Sequence, residues 1–299
     1  MNAHAAATPT ELSGIELAHP IINGSGTFDA IAARRVFGDA LIGQFPFAAF
    51  VSKTVTVAPR EGNPPPRLWE TPGGLINSIG LPNPGIDVYL EHHVGEYAKL
   101  GVPLITNVMG SSAGEFAELV GRVGEREEVA AIELNVSCPN VATGLDIGAD
   151  PRGLRELLTV VRPLTRKPLI VKLTPNSADV AECAAAAEAG GADAVSLINT
   201  LRAMSLAPGG HGRPWLGGGT GGLSGPAIRA IALAQVASVA ARVAVPVVGM
   251  GGVSSGADAA EMLEVGARLV AVGSESFRDP DAGSRITAEL AANFAENAA

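Results

Sequence analysis

The chain has 299 residues, of which 47% are hydrophobic and 17% charged, and its formal net charge is −9. A chain of this length and hydrophobicity can bury a core without disulfides, and an acidic chain without basic runs is a poor partner for nucleic acid. No apolar stretch reaches the roughly 18 residues that a membrane span needs, and the first ten residues lack the pattern of a secretory signal, so we expect a cytoplasmic protein.

Eight short apolar runs alternate with longer segments of helical character, which is the pattern of repeated strand–helix units. The runs cover residues 19–24, 48–54, 103–110, 131–138, 168–174, 192–200, 245–252 and 268–274. Their continuous apolar character is typical of parallel strands covered on both faces. Eight such units predict a closed (β/α)8 barrel, or TIM barrel, with a flexible amino terminus over residues 1–11 and a single domain over residues 12–299.

Residues 177–195 illustrate the helical segments. Ser177 is the candidate N-cap, and Gly190 and Gly191 end the helix before the next strand. Cys183 lies inside this alanine-rich helix, where we expect it to act as a small packing residue.

The chain contains only two cysteines, Cys138 and Cys183, and we expect both to be reduced thiols. His92 and His93 are adjacent, so they would not share a face of a helix and are predicted to lie on its solvated surface. We therefore predict no metal site. For Cys138, at the end of the fourth run, a packing role and a catalytic role both stay open.

Most of the eight runs end in polar residues or glycine. The carboxyl ends of all barrel strands meet at one face, where the active sites of TIM barrels lie. Lys53 and Lys172 can hold an anion there, stabilise charge on a ring or form a Schiff base, unless they extend to solvent. Asn107, Asn135 and Asn199 offer donors and acceptors suited to a planar heterocycle, with capping or turn roles as the alternative.

Glycine-rich turns follow the last two runs, at GMGGVSSGAD (249–258) and VGSESF (272–277). Glycine lets the backbone approach an anion closely, and the start of the following helix supplies N–H donors. The position of these turns after the seventh and eighth strands predicts a phosphate site.

Two connections, residues 55–85 and 201–225, are long, irregular and rich in proline or glycine. Long ordered loops at the mouth of a barrel are usually functional, so we expect both segments to cover the site.

The motifs SGTF, SKTVT, REGNPPPR, NSIGLPNPG, LNVSCPN, VKLTPN, INT, GGLSGPAI and GMGG, in this order between Leu12 and Pro280, resemble those of the class 1 dihydroorotate dehydrogenases. NPPPRLWET and GGLSGPAI look more like the class 1B catalytic subunits than the fumarate-using class 1A homodimers. The resemblance implies FMN as the cofactor and oxidation of dihydroorotate to orotate in pyrimidine biosynthesis. It also implies a homodimer, or a heterotetramer with an FAD and 2Fe-2S subunit that passes electrons to NAD.

Carried over residue by residue, the resemblance implies roles for individual positions. Cys138 would be the general base that takes a proton from substrate C5 while a hydride leaves C6 for N5 of FMN. Glu275 departs from the family pattern, which commonly has a small neutral residue there. The residues implied to hold FMN are Ser25, Lys53, Thr54, Asn107, Asn135, Lys172, Ile198, Gly225, Gly251, Gly252, Gly273 and Ser274. Those implied to contact the substrate are Lys53, Asn77, Ser78, Ile79, Gly80, Leu81, Asn135, Asn140, Asn199 and Thr200.

Two other interpretations of the same features remain. One is a phosphate-binding barrel lyase that uses Lys172 as a Schiff base, which would leave Cys138 and the strand-end asparagines without a role. The other is a non-catalytic subunit that binds flavin or assists assembly.

Overall fold

The computed structural model describes residues 9–136, 147–210 and 212–297. In chain order the strands are β1 (Thr10–Leu12), β2 (Ile15–Leu17), β3 (Ile21–Asn23), β4 (Phe50–Val51), β5 (Leu68–Thr71), β6 (Gly74–Asn77), β7 (Leu104–Val108), β8 (Val129–Asn135), β9 (Leu169–Lys172), β10 (Ala194–Leu197), β11 (Leu201–Ala203), β12 (Gly221–Ser224), β13 (Val247–Met250) and β14 (Leu269–Val272). They form an eight-stranded parallel sheet, a four-stranded antiparallel sheet and a two-stranded hairpin.

The eight-stranded sheet runs in the order β3-β14-β13-β10-β9-β8-β7-β4. Apart from β3 and β4 at the two ends of this order, strands of the sheet that are consecutive along the chain are paired, and the last strand, β14, pairs in parallel with the first, β3. This is the strand order of a (β/α)8 barrel, so the predicted fold class is confirmed.

The side chain of Asn23 joins β3 to β4, the two strands at the ends of that order. Its Nδ2 donates to the Val51 carbonyl at 2.8 Å, and its Oδ1 accepts from the Val51 N–H at 2.8 Å. A backbone bond from Ala48 N to Ile21 O at 2.9 Å adds a further link along the seam. The barrel is therefore closed partly by a side-chain amide that takes the place of a peptide group.

The helices pack on the outside of the strands through their apolar faces. They are α1 (Ala30–Phe37), α2 (Ala40–Gly43), α3 (Ile86–Val88), α4 (Val94–Ala98), α5 (Ala113–Gly124), α6 (Pro151–Val161), α7 (Val180–Ala189), α8 (Arg229–Ala240), α9 (Gly256–Glu264) and α10 (Ala282–Asn297). Oxygen atoms of Asp29, Ser112, Asp150, Asp179 and Ser255 accept hydrogen bonds from first-turn N–H groups of α1, α5, α6, α7 and α9. Within the described ranges, none of the helices combines the length and the hydropathy needed to cross a bilayer.

The predicted N-cap of α7 is wrong by two residues. Asp179, not Ser177, caps this helix, because its Oδ1 accepts from Glu182 N at 3.0 Å. Ser177 Oγ instead accepts from Asp179 N at 3.2 Å, so it supports the residue that forms the cap. The predicted end of the helix at Gly190 is confirmed.

The prediction for the adjacent histidines is correct for one of them. The side chain of His92 is 60% exposed. His93 is half-buried, and its ring packs against those of Tyr89 and Tyr97, with ring centroids 6.1 and 6.0 Å away. These three residues are spaced four apart, which places them on one face of a helix, so their i, i+4 spacing could have predicted that the rings pack together.

The inside of the barrel changes character along its axis. Near the amino-terminal ends of the strands it is filled by apolar side chains such as Ile22, Ala131 and Leu269, and Leu12 and Leu17 of the β1–β2 hairpin pack against this cluster. Towards the carboxyl ends, buried polar side chains take over. The apolar half is a packed core, and the polar half is available for chemistry.

The four remaining strands form an antiparallel sheet in the order β11-β12-β6-β5, which we call the flap sheet. It arises from the two long connections, so the prediction that these segments are irregular is wrong. The glycine-rich β12 lacks the alternation that signals a strand, because its backbone lies too close to other segments for side chains. A Cβ at Gly222 would overlap the Thr200 side chain.

Candidate active site

A cavity of ≈ 380 Å³ lies between the carboxyl ends of the barrel strands and the flap sheet. Its walls come from the turns after the strands, from β6 and β12 of the flap sheet, and from the turns after β13 and β14. The prediction that residues 55–85 and 201–225 cover the site agrees with this lining, to which both segments contribute.

Two lysines reach the cavity from neighbouring parts of the barrel. Lys172 ends β9 and is only 6% exposed, while Lys53 follows β4 and is partly buried. Neither ammonium forms a hydrogen bond or an ion pair with another described residue. Burial lowers the pKa of Lys53, and the negative charge of Asp29 opposes this shift. Two cations without an ion-paired carboxylate make the cavity a site for an anionic ligand.

Side-chain amides connect the ends of three strands beside these lysines. Asn135, at the end of β8, donates from Nδ2 to Thr54 Oγ1 at 3.4 Å and accepts at Oδ1 from Asn199 Nδ2 at 3.5 Å. Asn199 Oδ1 in turn accepts from Thr200 N at 2.8 Å. These contacts orient the amide edges, so the cavity presents donors and acceptors in a defined arrangement.

A third asparagine, Asn107, lies beneath the floor of the cavity and is fully buried. Its Nδ2 donates to Glu133 Oε2 at 2.5 Å, and the other oxygen of Glu133 accepts from Ser196 Oγ at 2.7 Å. Asn107 Oδ1 has no hydrogen-bond partner among the described residues. A buried acceptor without a donor is costly, so this oxygen is a position at which a bound group would be stabilising if it supplied a donor.

Glycines at one end of the cavity allow the backbone to approach a ligand. Gly251 and Gly252 follow β13 with φ of 130° and 73°, values that side-chain-bearing residues rarely adopt. A Cβ at Gly252 would lie 2.8 Å from Arg229 Cβ and 3.0 Å from Gly225 O. Ser274 begins a 3₁₀ turn after β14, and its Oγ bonds to Ser224 Oγ of the flap sheet at 2.8 Å. This end has the backbone character of a phosphate site.

Arg285 of α10 holds these two turns together from behind. Its Nη1 donates to Ser254 O, after β13, at 3.1 Å, and its Nη2 pairs with Glu275, after β14, at 3.0 Å. Glu275, which departs from the pattern that the resemblance implies, lines the cavity and pairs with this arginine, which also pairs with Asp279 and Glu289.

The segment after β6 forms the opposite wall. Asn77 donates from Nδ2 to Gly222 O at 3.1 Å. Gly80 and Leu81 both have positive φ, of 76° and 55°, so the chain turns sharply and brings its backbone to the cavity. Ser78 is fully buried, and its Oγ donates to Thr220 O at 2.8 Å, so its side chain does not face the cavity.

Most of the residues predicted for cofactor or substrate line this one cavity. Asn107 and Ser78 lie behind its wall, and Cys138 and Asn140 lie outside the described residues. The predicted residues that line it are Ser25, Lys53, Thr54, Asn77, Ile79, Gly80, Leu81, Asn135, Lys172, Ile198, Asn199, Thr200, Gly225, Gly251, Gly252, Gly273 and Ser274. Their individual roles stay predictions.

The sequence analysis missed several apolar lining residues. Met250 and Ala271 face the cavity from β13 and β14, and Leu75 faces it from the flap sheet. Met250 and Ala271 also belong to the interior cluster of the barrel, so counting inward-facing strand positions would have found them. Phe277 and Leu68 line the mouth although each is more than half exposed, and nothing in the local sequence signalled this position.

The donor set fits a flavin nucleotide. The lysines and the asparagine edges match a planar heterocycle rich in carbonyl and N–H groups, the apolar lining matches its ring faces, and the glycine turns match a phosphate. The fold and the cavity together are those of a (β/α)8 barrel enzyme whose site would suit a phosphorylated heterocyclic cofactor beside a small anionic substrate.

The comparisons with known proteins agree. The family model described as dihydroorotate dehydrogenase matches residues 8–294. A protein of Pelobacter propionicus named dihydroorotate dehydrogenase B (NAD(+)), catalytic subunit, is 45% identical over 276 residues, which cover 92% of this chain and 89% of that protein. Proteins of the same name from Geobacter sulfurreducens and Desulforudis audaxviator are each 42% identical, covering 96% and 95% of this chain and 93% and 91% of theirs.

The chain therefore belongs to the dihydroorotate dehydrogenase family, which is flavin-dependent. The predicted resemblance to the class 1B catalytic subunits is confirmed by the names of these relatives. Those names describe each relative as one subunit of a larger enzyme.

Proposed function

We propose that this chain oxidises (S)-dihydroorotate to orotate in pyrimidine biosynthesis, with FMN as its flavin. The observation that carries the proposal is the pair Lys53 and Lys172, which form no ion pair with the described residues and lie beside oriented amides. The substrate brings a carboxylate and two ring amide groups, which match this set. The shared family supports the same activity.

In this proposal the lysines and the glycine turns would hold the cofactor and the substrate next to each other in the cavity, as direct hydride transfer requires. Lys172 and the turns after β13 and β14 would bind FMN from the cavity wall, and Asn107 would offer its buried Oδ1 from the layer directly beneath. Asn77 and Asn199 would fix the substrate. The flap sheet excludes water from the reacting atoms. Bound FMN supplies the acceptor for the hydride that leaves substrate C6.

Cys138 serves as the general base that removes the C5 proton. It lies outside the described residues, three positions after Asn135, which ends β8. A free thiol has a pKa of about 8.5, so at neutral pH the reaction uses a small thiolate fraction or a lowered pKa. The C5 proton moves to the sulfur as the C5–C6 double bond forms, which balances the loss of a proton and a hydride.

In this proposal a partner subunit would carry FAD and a 2Fe-2S cluster, accept the electrons from this chain and reduce NAD. The names of the relatives, catalytic subunits of NAD-linked enzymes, support this arrangement. We place the cluster on the partner because this chain has two cysteines and a 2Fe-2S centre needs four ligands. The catalytic subunit is proposed to be a homodimer within a heterotetramer, in the cytoplasm.

Purified protein should be yellow and release FMN on denaturation, and the flavin absorbance should bleach when dihydroorotate is added without oxygen. A colourless protein that borohydride cross-links to its substrate would instead support the lyase with Lys172 as a Schiff base, which the comparisons do not favour. Bound FMN without bleaching would indicate a non-catalytic flavin subunit.

The role of Cys138 is tested by Cys138→Ser. Because a serine hydroxyl is much harder to deprotonate, this variant should keep its FMN but reduce it more slowly, by about 10²-fold or more, with a pH profile shifted to higher pH. Stopped-flow reduction measured across pH gives both quantities. An unchanged rate and pH profile would contradict the assignment.

The electron acceptor is tested by turnover with NAD, fumarate or a quinone, with and without the co-purified flavoprotein. We expect NAD reduction only when the flavoprotein is present. Fumarate turnover by the isolated chain would instead support a class 1A-like enzyme.

A further inference from the structure

Glu133 is a carboxylic acid inside the barrel for which the proposed reaction has no task. It lies on β8, two residues before Asn135, and is only 4% exposed. A buried carboxylate needs donors for its oxygens, or its burial is costly. Both oxygens of Glu133 are satisfied, and neither donor is a cation.

The two donors come from strands on opposite sides of β8. Asn107 Nδ2 on β7 donates to Oε2 at 2.5 Å, and Ser196 Oγ on β10 donates to Oε1 at 2.7 Å. Glu133 and Asn107 are directly paired in the register of β7 and β8. The carboxylate thus links three barrel strands just beneath the cavity.

This bond decides which way the Asn107 amide faces. An ionised carboxylate only accepts hydrogen bonds, so the NH₂ group of Asn107 must point at Glu133. The carbonyl oxygen is then the end that remains, and it is fully buried without a donor among the described residues. Without Glu133, the amide could rotate and present its NH₂ group instead.

We propose that Glu133 is a positioning residue that locks Asn107 with its carbonyl oxygen available to the cofactor, so that this part of the site accepts a hydrogen bond from a ring N–H. The inference rests on the proposed function, in that the ring is that of FMN. A flavin ring has one N–H donor among several carbonyl and imine acceptors, so a fixed acceptor selects one orientation of the ring.

The charge of Glu133 has a second consequence. Reduction adds negative charge to the cofactor, and a buried anion nearby opposes that addition because it is weakly screened. Glu133 therefore favours the oxidised cofactor, and removing its charge should make the midpoint potential more positive. A purely structural role for Glu133 would not shift the potential in a fixed direction.

The test uses four variants of the 299-residue chain: Glu133→Gln, Ser196→Ala, Asn107→Asp and the double variant Glu133→Gln with Asn107→Asp. The dissociation constant of FMN is measured by fluorescence after the flavin is removed, and the midpoint potential by reductive titration. Melting temperature without flavin reports on folding.

Glu133→Gln should weaken FMN binding by about 3- to 10-fold, because one charge-assisted hydrogen bond is lost. It should also shift the potential to more positive values. Ser196→Ala is the matched control, because it removes the other hydrogen bond to Glu133 while the charge and the Asn107 bond stay. It should change the FMN affinity less than Glu133→Gln and leave the potential nearly unchanged.

The double variant tests orientation directly. Asn107→Asp alone places two carboxylates together and should weaken FMN binding by at least about 10-fold. Adding Glu133→Gln restores a donor opposite the carboxylate introduced on β7, so the double variant should bind FMN more tightly than Asn107→Asp alone.

The outcomes separate this inference from the proposed function. If the wild type binds FMN and Glu133→Gln changes neither the affinity nor the potential, Glu133 is not a positioning residue, while the proposed function stands. The absence of rescue in a folded double variant would overturn the orientation argument. A wild type that binds no FMN would overturn both.

Discussion

Asn23→Ala should destabilise the protein by breaking the barrel seam between β3 and β4. Asn23 is fully buried, and its amide bonds both the N–H and the C=O of Val51 at 2.8 Å. Alanine leaves both backbone groups without these partners. At about 1–3 kcal/mol for each buried group left unsatisfied, the expected loss is about 2–6 kcal/mol. This is a large part of the roughly 5–15 kcal/mol that stabilises a typical domain.

The assay is urea unfolding followed by circular dichroism, at one flavin concentration for all variants because bound ligand adds to stability. Val51→Ala is the matched control: it removes buried apolar volume at the same seam but keeps the backbone groups that Asn23 bonds, and should cost about 1–3 kcal/mol. Amide hydrogen exchange distinguishes the two, because only Asn23→Ala should selectively expose the N–H of residue 51. A loss below about 1 kcal/mol with slow exchange at residue 51 would refute the assignment of the seam to this side chain.

Three further predictions concern the site and its support. Lys172→Met should abolish flavin binding. It should also raise the melting temperature of the flavin-free protein, because it removes a buried charge that has no ion-pair partner among the described residues. A lower melting temperature would contradict this. Arg285→Ala should weaken FMN binding by about 10-fold, because the turns after β13 and β14 lose the arginine that bonds to both of them. Arg242→Ala is the control: it breaks an exposed ion pair and should leave the FMN dissociation constant unchanged. Burial lowers the pKa of His19, so as the pH falls below about 6.5 this histidine is protonated in the unfolded chain before it is protonated in the folded one. The folded state therefore loses stability on acidification. The urea midpoint should fall less on acidification in His19→Asn than in the wild type.

The barrel was predictable because its signals are local and repeated. Each strand is a short apolar run, and the polarity of parallel strands means that residues at their carboxyl ends meet at one face. Lys53, Lys172, Asn135 and Asn199 could therefore be grouped before their contacts were known, and all four line the cavity.

The features that escaped prediction depend on pairings between distant residues. The flap sheet joins segments through strands that lack an apolar alternation, as in the pairing of Asn77 with Gly222, which are 145 residues apart. Asn23 resembles any polar residue at a strand end, and only its place opposite Val51 makes it part of the seam. Asn107 and Asn135 look alike in sequence, but Asn107 lies one layer deeper, where Glu133 holds it.

The polar half of the barrel also links ligand binding to protonation. Lys53 and Lys172 form no ion pair with the described residues, and burial lowers the pKa of Lys53 while Asp29 only partly opposes the shift. An anion bound beside Lys53 favours its charged form and raises its pKa again. Because such linkage is reciprocal, the affinity for an anionic ligand must fall as the pH rises through the lowered pKa of Lys53. Burying lysine charges without an ion pair lowers the stability of the protein without ligand, and for the same reason a bound anion raises it.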